Sequence, residues 1–201
     1  MILSQPDIRS AVAAKEIGFS PELEEDQWTE ASVNLRLGFE FTKLRSVSDV
    51  ISISLASGLG AISSVGLWDT MTLKEADEHG NVQRYMLRPK QFILAQTYET
   101  VSIPSNLIGR VEGRSTYART GLSMHQTAPW LQPGWSGQIT LEIMNNGPFE
   151  IYLTPIRDRP CQVTFFRLTS PVPKNALYGT RPTDAYQGQQ HTLPNSKKNP
   201  T

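Results

Sequence analysis

The chain has 201 residues, enough for one domain with a single sizeable core. Its 19 Lys and Arg balance 19 Asp and Glu, so no global basic field is available to hold a nucleic-acid backbone, and duplex binding is not expected. Cys161 is the single cysteine, which rules out an internal disulfide and a structural zinc site built on cysteine pairs.

The opening, MILSQPDIRSAVAAKEIG, lacks a basic stretch leading into an apolar core, and no apolar run reaches ~18 residues. A soluble cytoplasmic protein with no membrane partner is the expectation. The first element reads as a helix: Ser4 can cap it, Asp7 stands three positions on, and Leu3 can pack on Ile8 across the cap. Ile8, Val12 and Ile17 fall roughly on one face, and Gly18 marks the expected end.

From there the apolar pattern changes to period two. SVNLRLG alternates Val33, Leu35 and Leu37 against Asn34 and Arg36. FEFTKL, VISIS, QFILAQTYETV, QITLEIMN, FEIYL and CQVTFFRL follow as short strands, with Pro, Gly and Asn in nearly every gap. Many short strands after one helix predict a mostly antiparallel sandwich, jelly roll or barrel. Residues 55 to 82 mix Gly and Ser with charges and read as an excursion from the sheet, turning at His79, Gly80 and Asn81. The tail from Pro182 is polar and cannot bury enough apolar surface to order itself, so it is expected to need a ligand or a neighbouring subunit.

Three stretches concentrate chemistry. GRSTYARTG, residues 113 to 121, predicts a short helix from about Ser115 to Gly121; it reads either as a cradle for an anion or as a capped surface turn. Glu142 interrupts an apolar run, sharing a strand face with Thr140 and Met144 opposite Ile139, Leu141 and Ile143. On a wet face it is a solvated residue, and on a cavity face a proton carrier. Between them, HQTAPWLQPGW holds two prolines and predicts irregular backbone whose free amides and carbonyls can meet a ligand. There His125 reads as structural, and Trp130 and Trp135 as packing residues.

ASVNLRLG, VEGRSTYARTGL, HQTAPWLQPGWSGQITLEI and YQGQQ resemble, in this order, the motifs of dCTP deaminases, in the superfamily these share with trimeric dUTPases. The likeness runs over almost the whole chain and is most specific from GRS to LE. It implies a mainly β fold, a distorted β-barrel or jelly roll of the dUTPase-like type with an N-terminal helix. It also implies one domain over residues 1 to 201, a flexible tail from about 182 to 201 that closes on substrate, and a homotrimer with active sites at subunit interfaces. The implied activity is hydrolysis of dCTP to dUTP and ammonia without a catalytic metal, magnesium being carried on the triphosphate, with dTTP a feedback inhibitor common in the family. The chain lacks H-x-E paired with P-C-x-x-C, the zinc deaminase signature.

By the same resemblance Glu142 is the proton shuttle, with Ser115 and the carbonyl of Ala128 holding the water and Arg119 near the catalytic centre and phosphates. Arg114 and Thr116 contact the triphosphate, Trp130, Leu131 and Gln132 line sugar and base, and Tyr178, Tyr186 and Gln189 contact ligand from the tail. Trp130 stands where bacterial monofunctional members have arginine, Ala185 replaces a common lysine, and Asn34 replaces a usual aspartate. Gln132 stands where bifunctional members and dUTPases carry aspartate; a neutral amide cannot activate water for attack on phosphorus. Deamination without efficient dUTP hydrolysis is therefore expected, the alternatives being a bifunctional deaminase and diphosphatase or a non-catalytic nucleotide-binding homologue.

Overall fold

A computed structural model of the chain describes residues 1–45 and 66–193. The helix α1 (Gln5–Ala13) leads into β1 (Gly18–Ser20), β2 (Val33–Leu35), β3 (Leu37–Leu44), β4 (Trp68–Thr72), β5 (Tyr85–Leu87) and β6 (Phe92–Ser102). There follow β7 (Leu107–Gly113), a short helix α2 (Ser115–Ala118), β8 (Leu122–Ser123), β9 (Trp130–Leu131), β10 (Ser136–Asn145), β11 (Ile151–Leu153) and β12 (Cys161–Arg167). The expected strand VISIS, residues 50 to 54, lies outside the described residues.

Every strand pair among the described residues is antiparallel. One sheet runs β4, β3, β6, β10, β8, with β1 also on β6; a second runs β2, β12, β7, β9; β5 and β11 pair separately. None of these closes on itself, so the fold is a distorted jelly roll. Its core draws on both larger sheets: Ile93 and Ala95 of β6, Leu141 and Ile143 of β10, and Val163 and Phe165 of β12 are fully buried. Strict alternation along β10 places these apolar residues on the core side and Thr140, Glu142 and Met144 on the other.

Sequence and structure agree at the first helix cap and differ at several points beyond it. The capping box at Ser4 and Asp7 forms, with Ser4 N–H 3.2 Å and Ser4 Oγ 2.7 Å from Asp7 Oδ2. The helix stops at Ala13, before Gly18, because the chain turns at Lys15 with φ +59° and Gly18 already belongs to β1. Asn34 and Arg36 look like a polar strand face, yet both are buried. Arg36 stays inside because its Nε and backbone N–H both donate to the fully buried Glu99 carboxylate, at 2.7 and 2.9 Å, and Gln27 Nε2 donates to the same group at 2.8 Å.

The turn expected near His79 forms, closed by Asp77, whose Oδ1 accepts the N–H groups of His79 and Asn81. The tail departs most from expectation. Up to Leu193 it lies on its own chain, with Asp184, Gln189 and Thr192 buried, held by polar bonds instead of apolar area. No helix among the described residues is long and apolar enough to cross a membrane.

Candidate active site

Glu142 lies on the outer face of β10, between Leu94 of β6 on one side and the irregular 124–129 segment on the other. Gln126 straps that segment to it: Gln126 N–H donates to Glu142 Oε2 at 3.0 Å, and Gln126 Nε2 donates to the Glu142 carbonyl at 3.1 Å. The Glu142 side chain is among those lining a cavity of about 500 Å³.

Body and tail share the walls of this cavity. Ala128, Trp130, Leu131 and Gln132 contribute from the body, with Phe92, Leu94 and Thr140 beside Glu142; Tyr178, Tyr186 and Gln189 contribute from the tail. Gln189 Nε2 donates to Thr140 Oγ1 at 2.8 Å, two residues along the strand from Glu142. Backbone bonds fix the crossing: Gly188 N–H donates to the Ser136 carbonyl and Gln138 N–H to the Gln189 carbonyl, both at 2.8 Å. Burial pushes the Tyr186 phenol above its ordinary pKa, and the nearby Tyr178 and Glu142 add to the shift.

Trp130 is not a core residue: it is 46 % exposed, edge-on to Phe166 and within 5.4 Å of the Arg110 guanidinium. Trp135 is buried as expected. His125 also reaches the cavity, its Nε2 3.3 Å from Glu112 Oε2, while its buried Nδ1 has no partner among the described residues.

The GRSTYARTG stretch forms α2, shorter than expected: the helix ends at Ala118, with Arg119 as its C-cap, and a turn carries the chain to Gly121, whose φ of +89° suits glycine. Ser115, Thr116 and Arg114 line a different cavity, of about 490 Å³, together with Ser32, Asn34 and Gln162; Arg119 lines neither. Within one chain the structure thus joins Glu142, Ala128, Trp130, Leu131, Gln132, Tyr178, Tyr186 and Gln189, and leaves Ser115, Arg114, Thr116 and Arg119 outside that cavity. Tyr117 anchors α2 from behind: its hydroxyl donates to Asp158 Oδ1 at 3.3 Å and accepts Arg159 N–H at the same distance.

Sequence reasoning missed Gln126, Leu94 and Thr192 as site residues. Thr140 was legible, since it shares the Glu142 face; the other three depend on which segments fold together. Cys161 offers no nucleophile, because burial, and then the Glu99 charge, push its thiol far up. Among the described residues no group of three or more His, Cys, Asp or Glu could hold a metal ion.

The dCTP deaminase-like family model matches residues 2–168. The chain is 35% identical over 189 residues to a "dCTP deaminase, dUMP-forming" of Methanosphaera stadtmanae, covering 94% of this chain and 89% of the relative. It is 36% identical over 194 residues to a dCTP deaminase of Rhodospirillum rubrum, covering 96% and 95%. The crystal structure of 2'-deoxycytidine 5'-triphosphate deaminase from Agrobacterium tumefaciens superposes with a TM-score of 0.60 at 21% identity, over 82% of this chain and 47% of that one, a likeness of fold. The chain belongs to the dCTP deaminase-like family.

Proposed function

We propose that the chain hydrolyses dCTP to dUTP and ammonia. The observation that carries this reading is the Glu142 carboxylate, gripped at one oxygen by Gln126 and lining a cavity of nucleotide size in a chain of this family. Glu142 takes a proton from water as its oxygen bonds to C4 of cytosine, and delivers that proton to N3. It then carries the remaining hydroxyl proton to the amine, the C4–N bond breaks, and ammonia leaves as the C4 carbonyl forms. The Ala128 carbonyl and the Ser115 hydroxyl hold the water, and Trp130, Leu131 and Gln132 line sugar and base. Arg114 and Thr116 take the triphosphate, which arrives with its magnesium ion as part of the substrate, and Arg119 acts near the catalytic centre and the phosphates. Tyr178, Tyr186 and Gln189 close the cavity from the tail.

The protein works as a homotrimer in which a neighbouring subunit supplies Ser115, Arg119, Arg114 and Thr116 to each Glu142. This is supported by the separation of the two groups into different cavities of one chain, since a closed ring of identical subunits can bring them together. The name of the Methanosphaera stadtmanae relative favours a second reading, in which dUMP is the product. Gln132 argues against it, because its amide cannot take a proton from water attacking phosphorus. Incubation with dCTP and magnesium, with chromatography of nucleotides and an ammonia assay, separates the readings. Ammonia with dUTP is expected; dUMP would establish the second activity, and nucleotide binding without ammonia would leave a binding protein.

A further inference from the structure

Thr70 of β4, Thr42 of β3, Leu94 of β6 and Glu142 of β10 are successive cross-strand partners, forming one row across four strands. Directly paired residues project to the same side of a sheet, so this row shares the cavity face, with Thr42 roughly 10 Å from Glu142 at two strand spacings. Thr42 is nevertheless fully buried, and what lies against it is Thr192 of the tail, itself 2 % exposed.

The hydroxyls form a chain with one possible direction. Thr192 Oγ1 lies 2.8 Å from Glu40 Oε1, Thr42 Oγ1 lies 2.6 Å from Thr192 Oγ1, and Thr70 Oγ1 lies 2.8 Å from Thr42 Oγ1. An ionised carboxylate only accepts and each hydroxyl has one proton, so Thr192 donates to Glu40, Thr42 to Thr192 and Thr70 to Thr42. Glu40 also accepts Thr192 N–H on Oε1 at 2.6 Å and faces His191 Nδ1 from Oε2 at 2.9 Å. All these partners of a carboxylate only 12 % exposed come from residues 191 and 192. Charge-assisted bonds of this kind are the strong ones, and here they fasten a segment too polar to dock by apolar burial.

We infer that Glu40 is a positioning residue, the far anchor of a strap made by residues 177–193 across the Glu142 cavity. The near anchor is Tyr178, whose N–H donates to the Pro133 carbonyl at 2.9 Å. Between the two run Tyr186 and Gln189, which line the cavity. Glu40 touches no reacting group; it acts by keeping Gln189 on Thr140, and for its kinetic consequence the inference rests on the deaminase reading.

The test is amide hydrogen exchange on the full-length protein, wild type against Glu40→Ala, Glu40→Gln and Thr192→Val, followed by kinetics with magnesium dCTP. Exchange at Thr192 and Gly188 is expected to speed up about tenfold in Glu40→Ala while β6 amides keep their protection. Glu40→Gln, which retains one accepting oxygen, should fall between. KM for dCTP should rise about tenfold with a much smaller fall in kcat. Thr192→Val removes only a hydroxyl from the tail, so it reads the same clamp even where Glu40→Ala folds poorly, and should also speed exchange at Gly188. Unchanged strap exchange in folded Glu40→Ala and Thr192→Val would overturn the inference. So would parallel loss of protection in strap and β6, which marks a global effect. Exchange reads the clamp without turnover, so an inactive wild type would defeat the deaminase reading alone.

Discussion

Gln189 crosses Gly137 so closely that a Cβ on Gly137 would stand 2.9 Å from the Gln189 nitrogen and 3.0 Å from its carbonyl oxygen. Both contacts are with backbone, which cannot swing aside as a side chain would. Gly137→Ala is therefore expected to push the strap off β10, costing about 1–3 kcal/mol of stability and raising KM for dCTP. Thermal denaturation and steady-state kinetics check this. A variant with native stability and KM would show that the strap does not need this close approach.

Glu142→Gln keeps the size of the side chain and an oxygen for the Gln126 N–H while removing proton transfer. Turnover should fall by at least ~100-fold, the usual worth of a positioned acid and base, with dCTP binding within about threefold of wild type by calorimetry. Substantial residual ammonia release would remove Glu142 from the chemistry.

The separation of Ser115 from Glu142 in one chain makes the assembly testable by mixing. On the proposed homotrimer with shared sites, the Ser115→Ala and Glu142→Gln proteins should each be nearly inactive. Refolded together at equal amounts they should regain about one quarter of wild-type activity, because random trimers then pair intact halves in about that share of sites. No recovery in trimers shown by light scattering to have mixed would place both residues in one subunit's site.

Acid should loosen the strap. Burial opposes the charge of Glu40, yet the Thr192 N–H, His191 and the Thr192 hydroxyl outweigh it and hold the carboxyl below its ordinary 4.5. Asp184 behaves alike: burial opposes its charge, but the N–H groups of Arg181 and Gly179 and the Arg181 side chain hold it below 3.8. A carboxylate whose pKa is lower folded than unfolded adds stability present above the unfolded value and lost as pH falls through the folded one. Strap amides should thus stay protected above ~pH 5 and lose protection below ~pH 4, ahead of the β6 core. Loss between pH 6 and 8 would assign the strap's stability to other groups.

Local patterns carried much of the architecture. Alternation in QITLEIMN settles that Glu142 and Thr140 oppose Ile139, Leu141 and Ile143, because successive strand residues point to opposite faces. Ser4 and Asp7 announce the first helix, since a cap is built from neighbours in sequence. The same reasoning misplaced Arg36, whose burial depends on Glu99, 63 residues away. Trp130 was read as packing, yet it projects beside Phe166 and Arg110 at the end of the two-residue β9.

By itself, then, the sequence determined the antiparallel β character, the short helix at Ser115 and the type of residue available for proton transfer, because each follows from spacing along a few neighbouring residues. Tertiary structure alone decided that Glu142 lines a cavity, that Ser115 does not share it within one chain, and that the polar tail has a seat on Glu40 and Thr42. Those outcomes depend on contacts between residues as far as 152 positions apart, and the free energy of such contacts comes from burial and hydrogen bonding after the chain has folded, which no local pattern records.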